Sequence, residues 1–151
     1  MSLADALETL LTTDATFVAG IRALNLGSKG DPATPKVIKS FRTLRSIGQE
    51  HFPCWPMEVG DANTTDRAVG SCHQGAQREI LLGLLWHQQT PETAFDQREA
   101  LWDLLVALFL RNPMPDGEAT VYVDAMATDR NANHPTHITT FRLLADVETR
   151  Q

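Results

Sequence analysis

The residues best suited to chemistry are histidines and a cysteine in polar stretches of the chain. His134 and His137 are spaced His-x-x-His, and Cys72 is followed directly by His73. Imidazole and thiolate are the usual zinc ligands, but a zinc site normally places its ligands in pairs at short spacing on rigid elements. Pro135 lies within this His pair, in a stretch typical of a loop. We expect polar surface residues here, with a metal hydrolase using His73, His134 and His137 as an alternative.

Nucleophilic and phosphate-binding chemistry receive little support from the same region. Cys72 and His73 are adjacent, and adjacent side chains rarely point at a common atom; no acidic residue is identifiable that would orient the histidine. The segment 70–75 contains two glycines but lacks the lysine and the strand-turn-helix context of a phosphate loop. The carboxylates are scattered. We therefore expect no enzymatic activity, no metal and no cofactor.

Length and composition predict one globular domain. The chain has 151 residues, of which 42% are hydrophobic and 21% are charged, which is ordinary for a folded protein with a sizeable core. No apolar run is long enough to span a membrane, and the first residues lack the pattern of a signal peptide. We expect Cys54 and Cys72 to be reduced thiols.

Charge is unevenly distributed along the chain. The net charge is −6, yet residues 22–47 contain six cations and one carboxylate, Asp31, a local charge of +5. An acidic protein is not expected to bind nucleic acid in general. One basic face can still dock on an acidic partner. The cations of this segment are Arg22, Lys29, Lys36, Lys39, Arg42 and Arg45.

The first half of the chain is predicted to be mostly helical. Residues 1–27 begin with a Ser2 cap and have leucines at helical spacing, with a kink or restart at 12–14. After a loop at 28–35, Thr34-Pro35 opens a second predicted helix that extends to Ile47. Its apolar residues fall on one half of the wheel, and Lys36, Lys39 and Arg42 fall on the other, with Arg45 at the boundary.

The second half is predicted to form a sheet with one long helix. Prolines at 53 and 56 allow at most an edge strand from Met57, and 60–77 has the composition of a long loop. Residues 78–88 are apolar on both faces, as in a central strand. The remaining elements are a helix from Thr90 to before Pro113 and an antiparallel hairpin of 121–127 with 137–147.

The predicted fold class is α+β, within a single domain of residues 1–151. A mostly antiparallel sheet of about four strands has helices packed on one face and forms a body at 34–151, preceded by an N-terminal helical arm at 1–27. A central strand that is apolar on both faces needs cover on the second face as well. Another subunit could supply that cover, which favours an oligomer.

This layout resembles the tail-terminator, or tail-completion, family of long-tailed phages. The likeness extends from Lys36 to Val147. It includes the predicted basic helix, the segment 52–59, the Pro/Gly turn at 112–117, and a final hairpin with Val121-Tyr122-Val123 and Phe141-Arg142-Leu143.

The resemblance implies a structural virion protein of the tail or neck, made in the host cytoplasm. Members of the family form a hexameric ring that caps the tail tube, ends its polymerisation and joins it to the neck or head-completion protein. DNA passes through such a ring without sequence-specific binding. Alternatives are another neck or tail-tube structural protein, and a small α+β binding module that forms a dimer.

Contacts in such a ring are predicted at the basic segment, at Trp55 in its proline-rich stretch, and in the loops 60–77, 112–117 and 129–135. The interface residues predicted in this way are Lys36, Lys39, Arg42, Arg45, Trp55, Arg67, His73, Asp116, Asp129 and Arg130.

Overall fold

The computed structural model of the chain describes residues 2–26, 36–39, 53–66, 73–128 and 135–150. Within them, three helices pack on one face of a five-stranded sheet. In chain order the elements are α1 (Leu3–Thr13), α2 (Ala15–Leu24), β1 (Lys36–Ile38), β2 (Cys54–Asp66), β3 (His73–His87), α3 (Pro91–Arg111), β4 (Thr120–Thr128) and β5 (Thr136–Arg150).

The strand order is β1-β2-β3-β5-β4, so β3 lies at the centre of the sheet. β1 runs parallel to β2, and the other neighbouring pairs are antiparallel. This confirms the predicted α+β class, the central strand and the closing hairpin, with one strand more than expected.

The core lies between the sheet and the helices. Ile80, Leu82, Leu84 and Trp86 alternate along β3 toward the helices, and none is more than 1% exposed. Burying one large apolar side chain stabilises a fold by about 1.5–3 kcal/mol. The helices contribute Leu7, Leu11, Phe17, Ile21, Leu101, Leu105 and Leu108 to the same cluster.

The second face of β3 is partly covered within the chain. Leu85 is only 2% exposed and packs with Cys54, Ile38 and Ile138 in a separate small cluster. The cover that the sequence analysis suggested another subunit could supply is therefore not needed at the β1 side of the sheet. An oligomer has to be argued from other surfaces.

The predicted kink in the N-terminal arm is confirmed at Asp14, which both ends α1 and caps α2. Its carboxylate accepts a hydrogen bond from the Phe17 backbone N–H at 2.9 Å. The same carboxylate accepts hydrogen bonds from Arg111 at 2.8 Å and from the Asn112 amide at 3.2 Å. The start of α2 is thereby fixed to the end of α3.

The predicted basic helix at 34–47 is wrong where it can be checked. Lys36–Ile38 forms β1, paired in parallel with Cys54–Pro56. Val37 and Ile38 are β-branched and favour strands, and pairing with β2 overrides the helical spacing. The rest of that predicted helix, including 40–47, lies outside the described residues.

The segment around the two prolines is not an edge strand. β2 begins at Cys54 and lies between β1 and β3 there. Its pairing with β3 goes from Cys54↔Leu85 to Met57↔Leu82. Pro56 has no backbone N–H to donate, and it lies between these two residue pairs. This position explains how an inner strand tolerates a proline.

Most of the segment 60–77, predicted to be a long loop, belongs to the paired strands β2 and β3. β2 continues to Asp66 and β3 begins at His73, with a register shift between Val59 and Ala62. β5 pairs with the other side of this part of β3 through residues 146–150. Backbone hydrogen bonds define these strands, so their polar sequence gave no alternating apolar pattern to detect.

A bulge in β4 changes which of its residues face the core. The register with β5 shifts between Val123 and Ala125, so one extra residue is inserted there. Met126 consequently packs against the core while Ala125 and Ala127 are exposed. A regular alternation continued from Val121 and Val123 would place Ala125 and Ala127 toward the core, and the bulge reverses this.

The Asp14 contacts predict a pH-dependent contribution to stability. The hydrogen bond from the Phe17 N–H, followed by those from Arg111 and Asn112, lowers the pKa of Asp14 below the usual range of an aspartate. A lowered folded-state pKa gives stability that is present above the unfolded pKa and is lost as pH falls through the folded one. Asp14→Ala should reduce the free energy of unfolding by about 1 kcal/mol at pH 7.

Asp14→Asn is the matched control, because asparagine also caps helices but has no charge. In urea titrations, its deficit relative to the wild type should shrink as pH falls below the Asp14 pKa. A deficit that is the same at pH 7 and at pH 2 would show that the carboxylate charge contributes nothing.

Candidate interaction surface

The residues that could act in catalysis or bind a metal do not form a site in the described structure. Within the described ranges, no group of three or more His, Cys, Asp or Glu side chains could hold a metal ion. Cys72 and His134 lie outside those ranges, and His73 begins β3. No helix in the described part of the chain is long and apolar enough to cross a membrane.

His137 has a structural position. It is fully buried, stacks on Trp86 with ring centroids 4.5 Å apart, and places Nε2 3.0 Å from the Gln88 carbonyl oxygen. The neighbouring Trp86 indole N–H donates to Thr139 at 3.2 Å. A ring enclosed in this way is not accessible to a substrate.

Lys39 was predicted to face a partner, but it is bound within the chain. Its ammonium forms ion pairs with Asp5 and with Glu8, the latter at 3.2 Å. The hydrogen bond from Lys39 lowers the pKa of Asp5, and the reciprocal bond to Asp5 raises the pKa of Lys39. All three side chains are about half exposed, so this contact joins β1 to α1 without being a strong stabiliser.

The remaining predicted interface residues occupy varied positions. Trp55 is fully buried and packs between Phe17 and Phe141 at centroid distances of 5.9 and 6.4 Å, so it offers no surface to a partner. Asp116 accepts hydrogen bonds from two backbone N–H groups in the turn before β4. Lys36 lies in β1, while Arg42, Arg45, Arg67, Asp129 and Arg130 lie outside the described residues.

An apolar groove lies between the second half of α3 and β4, a strand at the edge of the sheet. The cavity has a volume of about 250 Å³. Leu110 is 77% exposed beside it and Tyr122 is 39% exposed. The groove is lined by Val106, Phe109, Leu110, Pro113, Thr120, Val121, Tyr122 and Val123.

A second cavity, of about 350 Å³, lies on the other side of the 112–117 turn, next to α1. Pro113 borders both cavities, and Met114 in the turn is 47% exposed. The turn predicted as a contact region therefore separates two open grooves. Exposed apolar side chains border both grooves, which makes this surface a candidate for docking.

The outer face of the sheet is polar near β4. Arg142 donates from Nε to Glu79 and from Nη1 to Asp124, each at 2.6 Å. The bulge after Val123 falls at Asp124 itself. This ion-pair group makes the outer face here unlike the apolar groove on the opposite side of β4.

Sequence reasoning missed the groove because apolar residues in a helix and a half-buried strand were taken as core. Leu110 was the available signal. It lies two residues after the buried Leu108, and a helix turns by about 100° per residue, so the two side chains project on nearly opposite sides of α3.

Comparisons with known proteins identify the fold and no family. No family model matches the chain, and no curated protein matches it. Among solved structures, the chain is similar to a chain of a structure described as "Virion of native gene transfer agent (GTA) particle". The TM-score is 0.56 and the identity 15%, with 98% of this chain and 96% of that chain covered. The two chains share a fold almost from end to end.

If the groove is a docking surface, its most exposed lining residue, Leu110, should matter little for folding. Leu110→Ala should change the free energy of unfolding by no more than about 0.5 kcal/mol, because the side chain is largely in solvent. Leu108→Ala, two residues earlier and fully buried, should cost about 2–5 kcal/mol. Urea unfolding of both variants measures this, and equal losses would show that Leu110 belongs to the core.

Proposed function

We propose that this chain is a structural virion protein, without catalytic activity, that forms a ring at the end of a phage-like tail. The ring caps the tail tube, ends its polymerisation and joins it to the neck. The observation that carries the proposal is the end-to-end likeness to a chain of a gene transfer agent virion, at a TM-score of 0.56. The layout that resembles tail terminators supports the same assignment.

The surfaces of the chain support assembly in the form of a ring. Ring contacts are heterologous, so one surface of each subunit meets a different surface of the next. β1 and β4 form the two edges of the described sheet, and only β4 is bordered by the apolar groove. Edges of such different character suit a head-to-tail contact better than a symmetric dimer.

The partners proposed for this ring are further copies of the chain, a tail-tube protein and a neck or head-completion protein. DNA would pass through it without sequence-specific contacts. The net charge of −6 agrees with that passage, because an acidic protein attracts the DNA backbone weakly.

A small α+β binding module that forms a dimer is the main alternative. Its best support is the groove beside β4. That cavity, at about 250 Å³, is below the usual range of about 300–1,000 Å³ for small-molecule sites, and the cavity beside α1, at about 350 Å³, is at its lower end. A further alternative is another ring of the neck or tail tube, which the same fold would suit.

The deciding experiment is light scattering after size exclusion, followed by negative-stain imaging with polymerising tail tubes from the same virus or element. We expect rings in solution or on tube ends, and shorter tubes as the chain is added. Heat-unfolded chain is the control for non-specific effects on polymerisation. A monomer or dimer that leaves the length distribution of the tubes unchanged would reject the terminator and favour the binding module.

A further inference from the structure

The helix α3 extends past the edge of the sheet at β4. It packs on β4, and the groove between the two elements opens beyond that edge strand. Leu110 lines the groove and is 77% exposed, so the sheet does not reach under it. A helix with its side chains is about 10–12 Å wide, whereas neighbouring strands are about 4.8 Å apart. One more strand beside β4 would therefore lie under the exposed side of α3.

The outer edge of β4 has backbone groups that no described residue pairs. Val121, Val123 and Met126 are opposite alternate residues of β5, so their backbone groups point the same way. The N–H of Val121 donates to the Pro113 carbonyl at 2.9 Å, so this direction is away from β5. The N–H groups of Val123 and Met126 have no backbone partner on that side among the described residues. Such an edge is a template for a further strand.

The groove and the edge fit the same kind of occupant. Val121 and Val123 line the groove with their helix-facing side chains. In an antiparallel strand added beside β4, the residue hydrogen-bonded to Val123 has its side chain on the same face of the sheet. That side chain enters the groove. An extended segment with an apolar residue at every second position thus satisfies the open backbone groups and fills the groove at the same time.

The charges around the groove favour cations in that segment. Asp103 on α3 and Glu118 before β4 are exposed and form no ion pair among the described residues. The cation next to Leu110, Arg111, is paired with Asp14. A segment with lysine or arginine near its ends complements these two carboxylates.

A second copy of the chain fits this place poorly. Its described edge strands are β1 and β4, and each has a helix packed beside it, α1 and α3 respectively. That helix would compete for the space that the exposed side of α3 occupies. Pairing of two β4 strands would also bring Asp103 and Glu118 of both copies together. A single extended segment of a different protein avoids both conflicts.

We infer that β4 binds an extended segment of a different protein as a sixth strand, with apolar side chains in the groove and cations beside Asp103 and Glu118. This is recognition by strand addition. The added strand becomes the edge of the sheet under α3, and the next copy of the ring meets that completed edge. The inference rests on the proposed function for the source of the segment, a neck or tail-tube protein.

Peptide probes test the added strand. The probe is a nine-residue peptide, the length of β4, in which valine and threonine alternate between two terminal lysines. Two N-methylated forms of the probe differ only in whether the valine or the threonine nitrogens are methylated. In an antiparallel strand the valines in the groove are also the residues bonded to β4. Valine methylation should weaken binding at least about tenfold in a fluorescence titration, and threonine methylation should change it by less than about twofold. A parallel strand reverses the two forms.

Hydrogen exchange resolved to single residues locates the bound peptide. The unmodified probe should slow exchange of the Val123 and Met126 amides at least about tenfold, because each N–H gains a partner. The Tyr122 amide points toward β5 and is the internal reference, which should not change.

A pair of variants tests the groove. Leu110→Ala should weaken binding of the unmodified probe about fivefold, because it removes an apolar contact that the bound valines make. Phe95→Ala is the matched control and should leave binding unchanged. Phe95 is also an exposed apolar residue of α3, at 55%, but lies about three helical turns before Val106, where the groove begins.

The outcomes separate this inference from the proposed function. If the chain forms rings or caps tubes but does not bind the probe, or binds both methylated forms equally, strand addition is wrong and the ring function stands. If the Val123 and Met126 amides are already protected in an oligomer of the chain alone, a second copy occupies the edge, which also overturns the inference. If the probe binds as expected and no ring forms, the strand site stands and the ring function fails.

Discussion

The architecture depends on burial of both faces of β3. Its helix-facing residues occupy the core together with all three described helices, and Leu85 on the other face is enclosed with Cys54. A strand with these requirements must have neighbours on both sides and cover above and below. Its antiparallel pairing with β2 and β5 meets the first requirement and leaves β1 and β4 as the edges.

This position of β3 determines which surfaces remain open. The helices cover the sheet from α1 at the β1 side to α3 at the β4 side, and Asp14 ties the two ends of that layer together through Arg111 and Asn112. α3 is long enough to pass the edge of the core, so Leu110 and Tyr122 border a groove instead of closing it. The groove beside β4 is therefore left open by the way the helices pack on the sheet.

The rest of the surface contains some charges that are paired within the chain and others that are not. The Arg142 group satisfies its charges locally on the outer face of the sheet, and Lys39 is neutralised by α1. The exposed carboxylates of α3, which are Glu92, Asp96, Glu99 and Asp103, form no ion pair among the described residues.

The sequence by itself determined the elements whose apolar spacing is set by burial: the N-terminal helices with their break at Asp14, β3, α3 and the closing hairpin. It did not determine that 36–38 forms β1, that Pro56 lies in an inner strand, or that 60–66 and 73–77 extend β2 and β3. Backbone pairing with distant strands decides these three features, and such pairing leaves no periodic pattern in the sequence. The bulge in β4 likewise reassigned Met126 and Ala125 through register alone. The candidate surface was also decided by tertiary structure. The packing of α3 against β4 leaves Leu110 exposed, and contacts with Phe17 and Phe141 bury Trp55.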